Sequence, residues 1–295
     1  MKTYLECIPC FFKQALEASR LAGADEKIQR QVLDAVALSL PEFPLEASPP
    51  EMGHIIHGLV RRYTGRDDPY LWIKEQSNRL ALSIYDRAVN TLTRSGDRLL
   101  DAVELAIAGN IIDFGVNNSL DIGEELEKIL SAERNTIGHE DRAFFNIESF
   151  RQSLIEAKTV LYLGDNAGET VFDRILMEEI KRMDGTKEIT YAVKEKPIIN
   201  DALEKDATDC GIDSIAEVVS SGSTAPGTIP ALCSDEFMKR FDRADMVISK
   251  GQGNFEGLSD SGRTVYFLLK AKCPVIAADI GCSVGDIVLL QHVPL

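Results

Sequence analysis

The sequence predicts an α/β protein, in which an N-terminal all-helical domain packs on a C-terminal Rossmann-like domain with a doubly wound, mainly parallel sheet. Up to about residue 150, apolar residues recur every three or four positions, which is the spacing of amphipathic helices. From about residue 158, short β-rich runs alternate with helical segments, a pattern typical of a parallel sheet covered on both faces. We place the helical domain at residues 1–153 and the α/β domain at 154–295.

The helical half contains no clear strand pattern. Its helices are separated by segments rich in proline, glycine and aspartate, such as "LPEFPLEASPPE" and "GRDDP". The predicted helices are Phe11 to Leu21, Ile28 to Leu38, Met52 to Tyr63, Tyr70 to Leu92, Leu99 to Ile112 and a short one from Glu124 to Leu130.

The second half contains short, nearly continuous apolar runs that fit buried parallel strands. The segment Thr264–Leu269 fits either a strand or a helix. The predicted strands are Thr159–Leu163, Ile189–Val193, Ala216–Val219, Met246–Ser249 and Pro274–Ala278.

Composition and charge restrict the possible partners. The chain of 295 residues has a formal net charge of -15, which disfavours nonspecific binding to nucleic acid or to anionic membranes. No apolar run reaches membrane-spanning length, and the N-terminus lacks the pattern of a signal peptide. We therefore expect a cytoplasmic protein that binds neither nucleic acid nor membrane; the sequence does not indicate its oligomeric state.

Six cysteines in an intracellular chain do not predict a disulfide framework. Only Cys7 and Cys10 are paired by their spacing. One interpretation is a structural metal site completed by His54 and His57; the other, which we favour, is two packed or exposed thiols. The surrounding pattern is not that of a thioredoxin fold, so a redox role has little support.

Polar and glycine residues follow each of the first four predicted strands. Because the carboxyl ends of parallel strands share one edge of the sheet, these loops should meet there. The side chains that they bring to this edge are Asp165, Asn166, Glu169, Asp201, Ser221, Thr224, Lys250 and Asn254.

This set of residue types favours a metal and phosphate site. Asp165, Asn166 and Asp201 offer the hard oxygen ligands that suit Mg²⁺ or Mn²⁺. A divalent cation would attract phosphate oxygens and lower the pKa of a bound water. Lys250 could neutralise another phosphate oxygen, and Gly251 and Gly253 would allow the backbone to approach the ligand closely.

Each motif also has a simpler explanation. Asp165 or Asn166 could cap a helix that starts near Gly168, and Asp201 could open another helix. The segment "KGQGNFEG", Lys250 to Gly257, could be an ordinary glycine turn. The convergence of all these loops on one edge favours a site.

Asn110 and Asp113 lie three residues apart and therefore on one helix face. They are either a polar stripe near a helix end or a second wall of the site, and the residues alone favour the stripe. Other chemistries lack support, because the chain has no Gly-x-Ser-x-Gly, P-loop or GxGxxG motif.

The motifs resemble those of the metal-dependent damage-control phosphatases, formerly called domain of unknown function 89 and including acidic-residue methyltransferase-like proteins. The resemblance runs nearly end to end and is closest to the stand-alone archaeal and bacterial subgroup with an N-terminal CxxC. It rests on "CIPCFFKQALEA", "DPYLWIKEQSN", "AIAGNIIDFG", "LGDNAGE", "KEKPIINDA", "SGSTAPGT", "SKGQGNFEGL" and "KCPVIAADIG".

The resemblance implies an active site between the two domains. It implies a metal on Asp165, Asn166 and Asp201, and phosphate binding by Lys250. The implied activity is hydrolysis of phosphate monoesters of small metabolites, such as sugar phosphates or damaged phosphometabolites, with Mg²⁺, Mn²⁺, Co²⁺ or Ni²⁺.

Residues in the same motifs are candidate substrate or phosphate contacts. These are Lys250, Gly251, Gly253, Asn254, Ser221, Glu169, Asn110 and Asp113. Two alternatives are an S-adenosylmethionine-dependent carboxyl methyltransferase and a non-catalytic protein that binds metal or phosphometabolites. The first gives no use to the cluster of Asp165, Asn166 and Asp201.

Overall fold

The computed structural model describes residues 1–109 and 143–294. The predicted helix from Glu124 to Leu130, the end of the predicted helix from Leu99 to Ile112, and both Asn110 and Asp113 lie outside the described residues. The first five helices are α1 (Cys7–Leu21), α2 (Glu26–Ser39), α3 (Pro49–Thr64), α4 (Leu71–Leu92) and α5 (Arg98–Ala108).

Local sequence signals set the ends of these helices. In α2, the side chain of Asp25 accepts a hydrogen bond from the backbone N–H of Ile28. In α3, Glu51 folds back to the N–H of Ser48, and the helix ends at Gly65 in the left-handed region with φ of 68°. The first three helices share a separate apolar core that includes Phe11, Ala15, Val32, Val36, Met52, Ile56 and Val60.

The second half contains a six-stranded sheet with strand order β3-β2-β1-β4-β5-β6. Every neighbouring pair is parallel except β5 and β6, which are antiparallel. The strands are β1 (Thr159–Leu163), β2 (Glu188–Val193), β3 (Glu217–Ser220), β4 (Met246–Lys250), β5 (Val265–Lys270) and β6 (Ile287–His292).

Helices cover both faces of this sheet, which confirms the predicted doubly wound architecture. Alternate strand residues such as Tyr162 and Ile248 face the apolar core formed with the helices before and after β1. Leu161 and Val247 face the opposite core. The remaining helices are α6 (Ile147–Glu156), α7 (Glu169–Met183), α8 (Glu204–Asp209), α9 (Asp235–Arg243), α10 (Gln252–Leu258) and α11 (Pro274–Ile280).

The structure corrects one predicted strand and resolves another segment. Residues 274–278 were predicted as a strand but form most of helix α11, because Pro274 suits the first helical turn and Gly281 ends the helix with φ of 83°. The ambiguous segment Thr264–Leu269 is largely strand β5, and β6 was not predicted at all. The domain boundary at residue 153 stays a prediction; α6 runs across that position.

Strand β1 has β2 on one side and β4 on the other, so the strand order changes direction at this pair. Ligands of open α/β sheets bind at such a switch point, beyond the carboxyl ends of the strands. The loops after β1 and β4 flank it. Across the part of the chain that the structure describes, no helix combines the length and apolar character needed to cross a membrane.

Candidate metal and phosphate site

The loops that follow β1 and β2 are joined by backbone hydrogen bonds. Ala202 N–H donates to the carbonyl of Asp165 at 2.8 Å, and Ala167 N–H donates to the carbonyl of Asn200 at 2.9 Å. Asn166 and Asp201 face each other in an isolated antiparallel β-bridge. The three residues predicted to bind metal are therefore brought to one place by main-chain geometry.

The side chain of Asn166 lies between two carboxylates. Its Nδ2 donates to Asp165 Oδ2 at 3.1 Å and to Glu169 Oε1 at 2.8 Å. All three side chains belong to buried residues. Because both N–H donors point to carboxylates, the carbonyl oxygen of Asn166 is directed elsewhere and can serve as a ligand.

Asp201 is buried and incompletely partnered. Its Oδ2 atom makes no hydrogen bond with the residues of the described ranges. Lys194 forms an ion pair with this atom, but its Nζ lies 3.6 Å from Oδ2, beyond hydrogen-bonding distance. Burial raises the pKa of Asp201 to about 6, although Lys194 opposes this shift.

The electrostatics of the cluster suit a cation. Burial, followed by the carboxylates of Glu169 and Asp201, raises the pKa of Asp165 well above its usual range. A divalent cation would favour the ionised form of these groups and could bind Asp201 Oδ2, which accepts no hydrogen bond from the described residues. This oxygen and the carbonyl of Asn166 therefore fit a hard metal ion.

The ligand set is small. Within residues 1–109 and 143–294, no group of three or more His, Cys, Asp or Glu side chains is arranged to hold a metal. Asp165 and Asp201 provide two carboxylates, and Asn166 adds one carboxamide. An ion with so few protein ligands would complete its shell with water and substrate oxygens, as Mg²⁺ usually does.

Lys250, the last residue of β4, is held between two buried carboxylates. Its Nζ donates to Glu169 Oε2 at 3.0 Å and to Asp173 Oδ1 at 2.8 Å, and its side chain is 1% exposed. Burial alone would lower the pKa of Lys250, but Asp173 and Glu169 outweigh burial and raise that pKa above its ordinary value. The ammonium group is therefore charged and fixed in position.

Two tyrosines complete the environment of Asp173. Tyr162 donates its hydroxyl hydrogen to Asp173 Oδ1 and Tyr191 donates to Oδ2, both at 2.8 Å. The tyrosines are direct neighbours in the register of β1 and β2. Every oxygen of this buried carboxylate is thus hydrogen-bonded, which removes most of the cost of burying it.

Gly251 permits the loop after β4 to touch the loop after β1. It has φ of 83°, and a Cβ atom placed there would lie 1.9 Å from Asp165 Oδ2. Gly253 lies against Gly227 in the same way. A Cβ atom placed at Gly227 would lie 2.1 Å from the carbonyl oxygen of Gly253. Close approach of these backbones requires glycine.

Asn254 connects the loop after β4 to the loops that contain Gly164 and Thr228, whereas Ser221 and Thr224 lie further along the same edge of the sheet. Its Nδ2 donates to the carbonyls of Gly164 at 3.1 Å and Lys250 at 2.7 Å, and its Oδ1 accepts from Thr228. Ser221 is buried at the end of β3 and accepts a hydrogen bond from Ser223 N–H. The carbonyl of Thr224 contacts His54 Nδ1 at 3.1 Å.

The helix-capping alternatives are wrong. Helix α7 begins after Gly168 without a side-chain cap, so neither Asp165 nor Asn166 serves as one. Helix α8 begins at Glu204, and the carboxylate that folds back to its first turn is Asp206, which accepts from Leu203 N–H at 2.9 Å. The loop residues are available for another role.

The sequence patterns missed two buried charged residues. Asp173 lies one helical turn after Glu169 and resembles an ordinary surface carboxylate of an amphipathic helix. Lys194 directly follows β2, donates to the carbonyl of Gly227 and lies beside Asp201. A signal existed for Lys194: like Lys250, it closes a buried apolar strand.

Cys7 and Cys10 are free thiols, half-buried and exposed, respectively. Burial raises the pKa of both thiols, which disfavours a reactive thiolate. His54 is bonded to Thr224, and no cluster of the four metal-binding residue types occurs in the described chain. That Cys7 and Cys10 are two separate thiols stays a prediction.

Known proteins with this sequence pattern cover almost the whole chain. A model of the damage-control phosphatase ARMT1-like domain matches residues 3–288. Damage-control phosphatase PH1575 from Pyrococcus horikoshii is 35% identical over 99% of both chains. A damage-control phosphatase from Archaeoglobus fulgidus is 34% identical over 98% of both. An uncharacterized protein, MJ0202 from Methanocaldococcus jannaschii, is 37% identical over 97% of this chain and 94% of that protein.

The fold agrees with this relationship. The crystal structure of a DUF89 family protein from Pyrococcus horikoshii superposes with a TM-score of 0.84 and 33% sequence identity, over 99% of each chain. Both the helical half and the α/β half are therefore shared with a solved relative. This chain belongs to the damage-control phosphatase ARMT1-like domain family.

Proposed function

We propose that this chain is a metal-dependent phosphatase that hydrolyses phosphate monoesters of small metabolites, such as sugar phosphates or damaged phosphometabolites. Two relatives that match nearly the full chain are named damage-control phosphatases. The observation that carries the proposal is the buried Oδ2 of Asp201, beside Asp165 and Asn166 at the switch point of the sheet. This atom accepts no hydrogen bond from the described residues and pairs with Lys194 only at 3.6 Å.

Asp165, Asn166 and Asp201 would hold Mg²⁺, Mn²⁺, Co²⁺ or Ni²⁺. When bound, such an ion supplies a Lewis acid for a phosphoryl oxygen and makes a coordinated water more acidic. Lys194 would help to keep the Asp201 carboxylate in place. Its Nζ donates a hydrogen bond to the Gly227 carbonyl and lies 3.6 Å from that carboxylate.

Lys250 would bind a phosphate oxygen. An ammonium group has three N–H donors, and Glu169 and Asp173 accept two of them. The third donor would be offered to the substrate from a fixed side chain, so little conformational freedom would be lost on binding. A charge held in a buried place stabilises developing negative charge more strongly than one in water.

The glycine loops would complete the phosphate site through their backbones. Gly251 brings the main chain after β4 against Asp165, and Gly253 lies against the loop that contains Gly227. The methyltransferase alternative assigns no function to the buried carboxylates or to Lys250, and we do not favour it.

The test measures phosphate release by chelator-treated protein from p-nitrophenyl phosphate and a panel of sugar phosphates. Mg²⁺, Mn²⁺, Co²⁺ and Ni²⁺ are added back one at a time. The key variant is Asp201→Ala, and the matched control is Asp213→Ala, an exposed aspartate at the other edge of the sheet.

We expect release that requires metal and falls at least about 100-fold in Asp201→Ala, since losing even an outer partner of a metal ligand costs about 10- to 100-fold. The control should keep wild-type activity. Turnover by metal-free protein, or equal activity of the two variants, would contradict the proposal.

A further inference from the structure

The motif "DPYLWIKEQSN", Asp68 to Asn78, has no part in the chemistry proposed above. Yet Lys74, 1% exposed, and Asn78, 5% exposed, are among the deeply buried polar residues that the motif places on α4. Burying a charge or a carboxamide costs free energy unless it has partners. The partners of these side chains therefore indicate what the motif does.

Asn78 contacts the loop of Asp165 and Asn166 and also helix α8, which follows the loop of Asp201. Its Oδ1 accepts from the backbone N–H of Gly168 at 2.7 Å, at the end of the loop that holds Asp165 and Asn166. Its Nδ2 donates to Asp206 Oδ1 at 2.8 Å. One carboxamide from the helical half thus joins the loop after β1 to the helix that follows the Asp201 loop.

Asp206 extends this link toward Asp201. While one of its oxygens accepts from Asn78, the other accepts from Leu203 N–H at 2.9 Å, two residues after Asp201. Lys74 lies one helical turn before Asn78 on the same face of α4. Its Nζ is 2.8 Å from Asp68 and 4.0 Å from Asp206, so it balances the charge of both carboxylates.

The loop after β1 rests directly on α4. Gly168 has φ of 85°, and a Cβ atom there would lie 2.8 Å from the Cβ of Ser77. A side chain at this position would push the loop away from the helix. The close contact brings the Gly168 N–H within reach of Asn78.

We propose that Asn78 is a positioning residue that fixes the spacing between the Asp165 and Asp201 loops and thereby sets the affinity for the divalent cation. The inference rests on the proposed function only in requiring that these loops bind a cation. It extends the site to a residue in the helical half that touches neither metal nor phosphate.

The test measures the dissociation constant of Mn²⁺ for the chelator-treated full-length protein by calorimetry. The first variant is Asn78→Ala, and the control is Asn90→Ala, an exposed asparagine on the same helix. We expect the dissociation constant to rise about 10- to 100-fold in the first variant, the usual cost of losing an outer-shell partner. The control should stay within about twofold of the wild type, as a surface change does.

A charge-swapped pair separates bridging from packing. Asn78→Asp keeps the acceptor for Gly168 but places a carboxylate opposite Asp206, so it should weaken Mn²⁺ binding. Adding Asp206→Asn restores a donor between the two side chains and leaves an acceptor for Leu203. The double variant should therefore recover most of the lost affinity, while its net charge equals that of the wild type.

The outcomes are distinguishable. If the wild type binds no Mn²⁺, the proposed function fails and this inference fails with it. If the wild type binds Mn²⁺ and Asn78→Ala binds it equally well, the inference alone is wrong. If Asn78→Ala does not fold, the swapped pair decides: Asn78→Asp with wild-type affinity, or no recovery in the double variant, would overturn the bridging role.

Discussion

Two ion pairs at opposite edges of the sheet differ in how far they are exposed to water. At the amino edge, a cleft of about 800 Å³ opens around the starts of the first three strands, and Arg240 pairs there with the exposed Glu217 at 2.7 and 2.9 Å. At the carboxyl edge, Lys250 and Asp173 form their ion pair in the interior, 1% and 0% exposed.

This difference shows why the size of a cleft does not by itself identify the candidate site. The charges of Arg240 and Glu217, which line this cleft, are screened by water and contribute little to stability. Charges at the carboxyl edge are held out of water at a cost in stability, and they persist there because a hydrogen-bonded network compensates them. Such buried charges are typical of functional sites.

The largest expected effect is on stability at the carboxyl edge. Lys250→Met leaves Glu169 and Asp173 without their shared cation, so the free energy of unfolding should fall by about 3–5 kcal/mol. Lys239→Met, at the rim of the amino-edge cleft, should change it by less than about 0.5 kcal/mol. Urea unfolding measures both, and equal effects of the two substitutions would remove the distinction between the edges.

A smaller effect separates close approach from backbone strain. Gly251→Ala drives a methyl group into Asp165, whereas Gly262→Ala faces open space at a similar positive φ. Gly251 has ψ of 163°, a backbone conformation essentially restricted to glycine, so strain should cost about 1–3 kcal/mol there and about 1–2 kcal/mol at Gly262. Only Gly251→Ala should also reduce phosphatase activity, by at least about tenfold, since small displacements of reacting groups can cost about 100-fold. Similar activities in the two folded variants would show that the contact with Asp165 is unimportant.

The acid sensitivity of folding should also arise from buried groups near the carboxyl edge. His57, on α3 beside the segment that leads to Asp201, is buried, and burial together with Arg61 lowers its pKa to about 3. Below about pH 6.5 the unfolded chain takes up a proton that the folded chain does not, so stability falls as the pH decreases toward 3.

His57→Leu should therefore lose about 2 kcal/mol less stability than the wild type between pH 7 and pH 4.5. Urea unfolding at the two pH values measures the difference, with His54→Leu on the same helix as control. An unchanged pH dependence in His57→Leu would mean that the pKa of His57 is the same in the folded and the unfolded protein.

The smallest effect is expected at the amino edge. Arg240→Ala removes an exposed pair with Glu217, and should reduce stability by no more than about 1 kcal/mol. Phosphatase activity and Mn²⁺ affinity should remain at the wild-type level. A marked loss of either would assign a function to the cleft.

Regular patterns in the sequence predicted most of the fold. Helix spacing located the five described N-terminal helices, and buried apolar runs located β1, β2 and β4. Residues 274–278 misled the prediction because valine and isoleucine favour strands, while the decisive signals were Pro274 before them and Gly281 after them. Strand β6 is the antiparallel edge strand of the sheet. The prediction relied on strands that alternate with helices in a parallel sheet, and this strand does not follow that pattern.

The candidate site could be predicted only where it follows strand ends. That rule places Asp165, Asn166 and Asp201 at one edge, and it could also have found Lys194. Asp173 could not be found, because its partners Lys250 and Tyr191 are distant in sequence. Asn78 was equally hidden, since its role depends on contacts 90 and 128 residues away.

Those distances also constrain how the chain folds. Helix α4 leaves the ribosome well before Gly168 and Asp206 are synthesised, so Asn78 remains exposed to water until both of its partners exist. Contacts of such long sequence separation form slowly because the loop between them must first close. We therefore expect the first three helices, with their own apolar core, to become compact early, while α4 docks and the two loops align only when the strands of the sheet have assembled.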